Sequence, residues 1–186
     1  MAHQAAHEPD EPVPDAGSAA GRAGARPVAL VILSGGGFTF ETKCLLGSLV
    51  DEFRFVYLKT EFGGSPGEGG IPSGEAHLVP SFASVTQRSR SRSVNAFLAT
   101  FAITLGLLRR RRVDVVIAVG CSHAVPMFLA ARALGRRTIY LETITRVDRL
   151  SSTGKLVYRL KLASLYLVQW PNLQRDYPAS QLGTVL

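Results

Sequence analysis

Cysteine is scarce in this sequence. Cys44 and Cys121 are the only two among 186 residues, too few for a disulfide scaffold, and reduced thiols are expected. The histidines are His3, His7, His77 and His123, and neither they nor the cysteines fall at metal-ligand spacing, so no metal and no cofactor are expected. Long hydrophobic runs are missing too. The longest, "FLATFAITLGLL" (97–108), is shorter than the ~20 residues that cross a bilayer, so no transmembrane helix is expected. The first 27 residues have no apolar core, which argues against a signal peptide, and they read as a disordered tail of Ala, Gly, Pro and acids. Residues 88–112 hold no acid at all. They also lack the aromatic interleaving of single-strand binders, so nucleic acid is not expected as a partner despite the charge.

What is present is a globular balance with a basic excess. Hydrophobic residues make up 46%, the net charge is +7 and the sequence pI is about 9.9. An anionic partner follows: acidic lipid or a phosphorylated substrate. Residues 28–186 suffice for one domain with a core.

Strand and helix signals alternate along that domain. "VALVIL" (28–33), "RFVYLKT" (54–60), "VDVVIAVG" (113–120), "RRTIYLE" (136–142) and "LYLVQW" (165–170) read as buried strands, with shorter candidates at "HLVPSF" and the terminal "LGTVL". Helices are expected at "ETKCLLGSLVDEF", near 93–112, at "AVPMFLAARALG" and at "SSTGKLVYRLKLA". The 61–76 segment is long for a loop and reads as a lid or binding loop. Such alternation predicts an open parallel α/β sheet, Rossmann-like, whose ligands bind along the carboxyl edge of the strands. The loops at that edge are "SGGGFT", "GCSHAVP", "ETITRVDR" and "QWPN".

Gly35, Gly36 and Gly37 join the first strand to the first helix. Glycines permit positive φ and close backbone approach, and the helix start offers N–H groups to an anion. Thr39 is placed to cap the helix or to bond a phosphate oxygen. No Walker lysine follows, and Phe40 occupies the third glycine of a dinucleotide fingerprint. His123, between a strand end and a helix start, reads equally as an acid–base group and as a packing residue. Glu142, Thr143 and Arg146 open from the end of the next strand, as a polar site or as a salt-bridged loop. Seven arginines (88, 90, 92, 109, 110, 111 and 112) flank an apolar helix. With Phe97, Phe101 and Arg109, Arg110, Arg111 and Arg112 as contacts, that pattern suits an anionic membrane surface; it also suits a core helix with a solvated basic end.

The blocks "DVVIAVG", "RRTIYLETITRVDRLSSTGKLVY" and "LYLVQWPNLQRDYP", closing on "LGTV", resemble the PssD-type subunit of bacterial exopolysaccharide glycosyltransferases. They are similar also to the membrane-recruiting subunit of the UDP-N-acetylglucosamine transferase of dolichol-linked oligosaccharide synthesis. The resemblance covers about residues 28–186. It implies the N-terminal, acceptor-binding half of a GT-B glycosyltransferase, MurG-like, inactive without a small donor-binding partner chain of PssE type. It further implies a polyprenyl-diphosphate-linked acceptor, a UDP-linked donor and a peripheral place on the cytoplasmic face of the plasma membrane. In that family the loop usually reads Ser-Gly-Gly-His, so Phe38 stands where the histidine would be. The acceptor-binding set is then Gly35, Gly36, Gly37, Thr39, Thr143 and Arg146, and His123 and Glu142 are the candidates for catalysis. The alternative is a stand-alone nucleotide- or dinucleotide-binding Rossmann protein.

Overall fold

The structure, a computed structural model, describes residues 26–82 and 90–185. Seven strands form one sheet: β1 (Val28–Leu33), β2 (Arg54–Lys59), β3 (Gly74–Leu78), β4 (Val115–Val119), β5 (Arg137–Leu141), β6 (Leu165–Val168) and β7 (Gln181–Leu182). Their order is β3-β2-β1-β4-β5-β6-β7, and all six pairings are parallel. This is the expected open, Rossmann-like sheet. The chain reverses its direction of progress between β1 and β4, which makes the carboxyl ends of those two strands the natural crevice for a ligand.

The helices are α1 (Gly37–Leu49), α2 (Arg90–Arg110), α3 (Ala124–Ala133), α4 (Ser152–Arg159) and α5 (Pro171–Asp176). Alternate residues of the central strands feed two cores. Leu30, Ile32, Val116 and Ala118 face Leu107, Phe128 and Val157 from α2, α3 and α4. Ala29, Val31, Leu33, Val115 and Ile117 face Leu46 of α1. Burial on both faces explains why β1 and β4 read as continuous apolar runs rather than alternating ones.

Three elements depart from expectation. First, α1 begins at Gly37, four residues before the expected start, because positive φ at Gly36 turns the chain directly into the helix. Second, α2 has 21 residues and is long and apolar enough, by length and composition, to cross a bilayer, which corrects the reading that no segment approaches that length. Its stripe Ala96, Thr100, Thr104, Leu107 and Leu108 is nevertheless buried in this fold. Third, α5 was not expected; Pro171 opens it, where a missing N–H costs nothing.

The long loop after β2 is tied down. Gly67 N–H donates to Ile71 O at 3.0 Å, Ile71 N–H to Glu68 O at 2.9 Å, and the Ile71 side chain joins the core under α1. Of the tail expected over 1–27, residues 1–25 lie outside the described residues. Arg26 and Pro27 are described, and Arg54 N–H donates to Pro27 O at 2.9 Å.

Candidate active site

The glycine loop leaves β1 at the sheet's carboxyl edge. Gly35 has φ +87°, and a Cβ there would stand 2.5 Å from the Phe62 carbonyl oxygen. Gly36, at φ 64° and ψ −149°, lies in a region essentially reserved for glycine and is the N-cap of α1, with no side chain capping the helix. The N–H groups at the start of a helix have no partner within it. Nothing lies within 4 Å of the position a Cβ would take at Gly36 or Gly37. The helix start is therefore open, and an anion can reach its backbone N–H groups. Thr39 does not cap: its Oγ1 is buried without a hydrogen-bond partner, just inside the first turn.

Phe38 turns away from that opening. A Cβ on Gly120, at φ +58° just beyond β4, would stand 2.6 Å from the Phe38 ring. The ring thus fills the β1/β4 crevice against a glycine that must stay bare. The next residue, Cys121, is buried, and its thiol is pushed up to about 11 by that burial, against hydrogen bonds from Ser34 and the backbone around the start of α3.

Two carboxylates are buried at the same edge. Glu142 is wholly inaccessible. Its Oε1 accepts from Thr143 N–H (3.1 Å); its Oε2 accepts from Ser151 N–H and Oγ–H (3.1 Å each) and from the Tyr166 hydroxyl (3.4 Å). Ser151 in turn caps α4 by accepting from Gly154 N–H at 2.9 Å. Burial holds the Glu142 carboxyl above the ordinary carboxylate range, opposed by the bonds from Ser151 and Thr143.

Glu41, in the first turns of α1, is the second. It accepts from the Thr143 hydroxyl, from Ile144 N–H at 2.9 Å and from Gln169 Nε2 at 2.9 Å. One side chain thereby ties the helix that follows the glycine loop to the loops after β5 and β6. Gln169 also donates to Glu142 O (3.1 Å), and Trp170 Nε1 to Ile144 O (2.7 Å).

The expected catalytic pair, His123 and Glu142, lies inside the sheet's carboxyl edge. His123 is buried, its Nε2 lies 3.1 Å from the Pro80 carbonyl, and the Phe82 ring meets it edge-on at 4.7 Å. Burial lowers its pKa, so it is neutral near pH 7, with Nε2–H as the donor to Pro80. Glu142 is wholly buried and His123 nearly so, with the His123 Nε2 turned to the Pro80 carbonyl. The expected acceptor set fares differently. Thr143 meets α1 through Glu41, and the exposed Arg146 lines an open hollow of about 430 Å³ with Thr145, Val147, Asp148 and Arg149. Sequence reasoning missed Glu41. Its only signal is a lone acid four residues beyond the last glycine, which a helix reading places on the solvent face.

Residues 75–186 match the family described as "Oligosaccharide biosynthesis protein Alg14 like". The chain belongs to the Alg14-like family. The human UDP-N-acetylglucosamine transferase subunit ALG14 is 29% identical over 180 residues, covering 84% of this chain and 82% of the human protein. The rat subunit of the same name is 33% identical over 117 residues, covering 59% of this chain and 53% of its own. Among solved structures, Acinetobacter baumannii MurG superposes with a TM-score of 0.59 at 21% identity, over 79% of this chain and 42% of MurG. At that identity the likeness shows the fold: one Rossmann-like half of a GT-B glycosyltransferase architecture.

On this Alg14-like fold the arginine-flanked helix is split between two edges. α2 runs from the carboxyl edge down to the start of β4, so Arg90 and Arg92 lie about 26–30 Å along the helix from Arg109 and Arg110. Phe97 and Phe101, expected as membrane contacts, are half-buried against the core; Val94 and Leu98 are the exposed apolar side chains between the two arginine groups. Arg88 lies outside the described residues. Arg111 is bonded to Glu75 at 2.8 Å.

Proposed function

We propose that this chain is the acceptor-binding, membrane-associating subunit of a two-component glycosyltransferase. It supplies the N-terminal half of a GT-B enzyme, and a separate donor-binding chain of PssE type supplies the nucleotide-sugar half, with a UDP-linked donor. The acceptor is a polyprenyl-diphosphate-linked sugar used in polysaccharide or lipid-linked oligosaccharide synthesis. The observation that carries the reading is an open helix start, without side-chain cap, at the carboxyl edge of an Alg14-like chain.

The acceptor's diphosphate sits on the backbone N–H groups of Gly37 and Phe38, where the α1 dipole favours negative charge. Close approach needs the bare backbone of Gly35, Gly36 and Gly37. Thr39 Oγ1, buried and unpartnered, turns to a phosphate oxygen as the first turn adjusts. Arg146 brings a guanidinium from the far side, on a loop held by Glu41 through Thr143 and Ile144. Because His123 and Glu142 are bonded internally, the group that takes the acceptor hydroxyl's proton comes from the partner's side of the cleft. Leaving-group charge on the nucleotide is met there too.

α2 lies along the cytoplasmic face of the plasma membrane, with Val94 and Leu98 toward lipid and arginines at both ends; each basic residue near an anionic surface contributes about 1 kcal/mol. The test is a tagged pull-down from host membranes. A small α/β chain that co-purifies stoichiometrically supports the reading. Recovery of this chain alone from the soluble fraction, carrying a bound nucleotide, would replace it with the stand-alone nucleotide-binding alternative.

A further inference from the structure

At the opposite edge of the sheet, where the strands begin, lies a crevice of about 670 Å³. Four guanidiniums line it, from Arg26, Arg54, Arg111 and Arg112, against the single carboxylate of Glu75. That carboxylate is already shared: Arg111 lies 2.8 Å from it and His77 3.2 Å. Arg26 donates to Val50 O at 2.8 Å, and Arg54 donates through Nε to Arg26 O at 3.4 Å while lining the crevice. Arg54 and Arg112 have no ion-pair partner among the described residues. Phe53, Val56 and Pro72 add apolar surface to the lining of the crevice. Strands of five or six residues separate this crevice from the glycine loop by roughly 17–20 Å.

We infer that this crevice is a second anion site that binds a phosphate group carried on an apolar or aromatic body, held by the Arg54 and Arg112 guanidiniums. Planar forks converging on one opening match phosphate oxygens in pairs, and the volume is in the range of small-ligand pockets. Two sources carry this chemistry, the headgroup of an acidic phospholipid and a soluble diphosphate. The site does not depend on the proposed acceptor site, which occupies the other edge.

The experiment compares the full-length chain, R54Q/R112Q, and the control R159Q/R175Q, which removes equal charge from exposed arginines outside the crevice and away from α2. One arm measures sedimentation with phosphatidylcholine vesicles with and without phosphatidylglycerol; the other is calorimetric titration with inorganic diphosphate. R54Q/R112Q is expected to weaken binding in at least one arm by roughly 30-fold at low ionic strength, with the control falling severalfold less and both variants melting as wild type does. Loss in the vesicle arm alone identifies the lipid headgroup as the source, and loss in the diphosphate arm the soluble ligand. Equal loss in both variants, or none in R54Q/R112Q, overturns the inference. Failure of the wild-type chain to bind any vesicle counts against the membrane reading above and leaves the diphosphate arm to decide the crevice.

Discussion

Gly154 is the most exacting position in the fold. It sits in the first turn of α4, directly over Glu142, and a Cβ there would stand 1.9 Å from Glu142 Oε2 and 2.7 Å from the Tyr166 hydroxyl oxygen. In G154A the carboxylate has to move, and Oε2 loses at least two of its three donors, Ser151 N–H, Ser151 Oγ–H and Tyr166. A hydrogen bond to a charged group contributes about 1.5–3 kcal/mol, so losing two costs about 3–6 kcal/mol. Alanine returns about 1 kcal/mol of helix propensity. A net loss of about 2–5 kcal/mol is expected, and for a chain of this size a melting temperature lower by roughly 4–20 °C. Urea denaturation of wild type, G154A, E142A and the double variant separates the causes. With the carboxylate gone, G154A in the E142A background is expected to cost far less than in wild type. A G154A chain as stable as wild type, or an equal cost in both backgrounds, would refute the steric argument.

Glu142 also predicts a pH dependence. Its pKa is raised by burial in the folded state, so its stabilising contribution is full below the unfolded carboxylate value and is lost as pH rises through the folded one. The stability difference between wild type and E142Q is therefore expected to shift against wild type as pH rises from about 4.5 to 8, read from urea midpoints. His123 runs the other way: its lowered pKa gives stability that is present above about pH 6.5 and lost as pH falls through the folded value, so H123Q is expected to flatten the acid limb. Replacing Gly36 by alanine forces a side chain into φ 64°, ψ −149°, at a cost of about 1–3 kcal/mol, and is expected to weaken acceptor binding, measured as a raised acceptor KM in the two-chain assay. E41A leaves Ile144 N–H without its acceptor, at about 1–3 kcal/mol, removes one of the two acceptors of Gln169 Nε2, and is expected to destabilise the chain and to raise the acceptor KM.

The sheet was legible because burial on both faces leaves an unmistakable mark. "VALVIL" and "VDVVIAVG" can only be central strands, and the loops after them must share an edge. The same burial hid the workings of that edge. Nothing in "GCSHAVP" says that His123 turns in to the Pro80 carbonyl, or in "YLET" that Glu142 turns in to Ser151, the cap of α4, rather than out to a ligand. The first choice depends on Pro80, 43 residues back, and the second on Tyr166, 24 residues on, and on the bare Gly154. Glu41 was invisible for a related reason: its partners are Thr143, Ile144 and Gln169, about a hundred residues away or more. The arginine segment misled in a third way. Adjacent in sequence, its two groups are driven to opposite ends of the domain by the 21-residue helix between them.

The central claim is that this chain is one half of a transferase, and the direct test is sugar transfer in vitro. The purified chain, its co-purified partner and the two together are each given a UDP-sugar and a polyprenyl-diphosphate-linked acceptor. Transfer by the mixture alone, reduced in the Gly36→Ala variant, is what the account predicts. Transfer by the partner without this chain, or no transfer by the mixture across the donors tested, would contradict it.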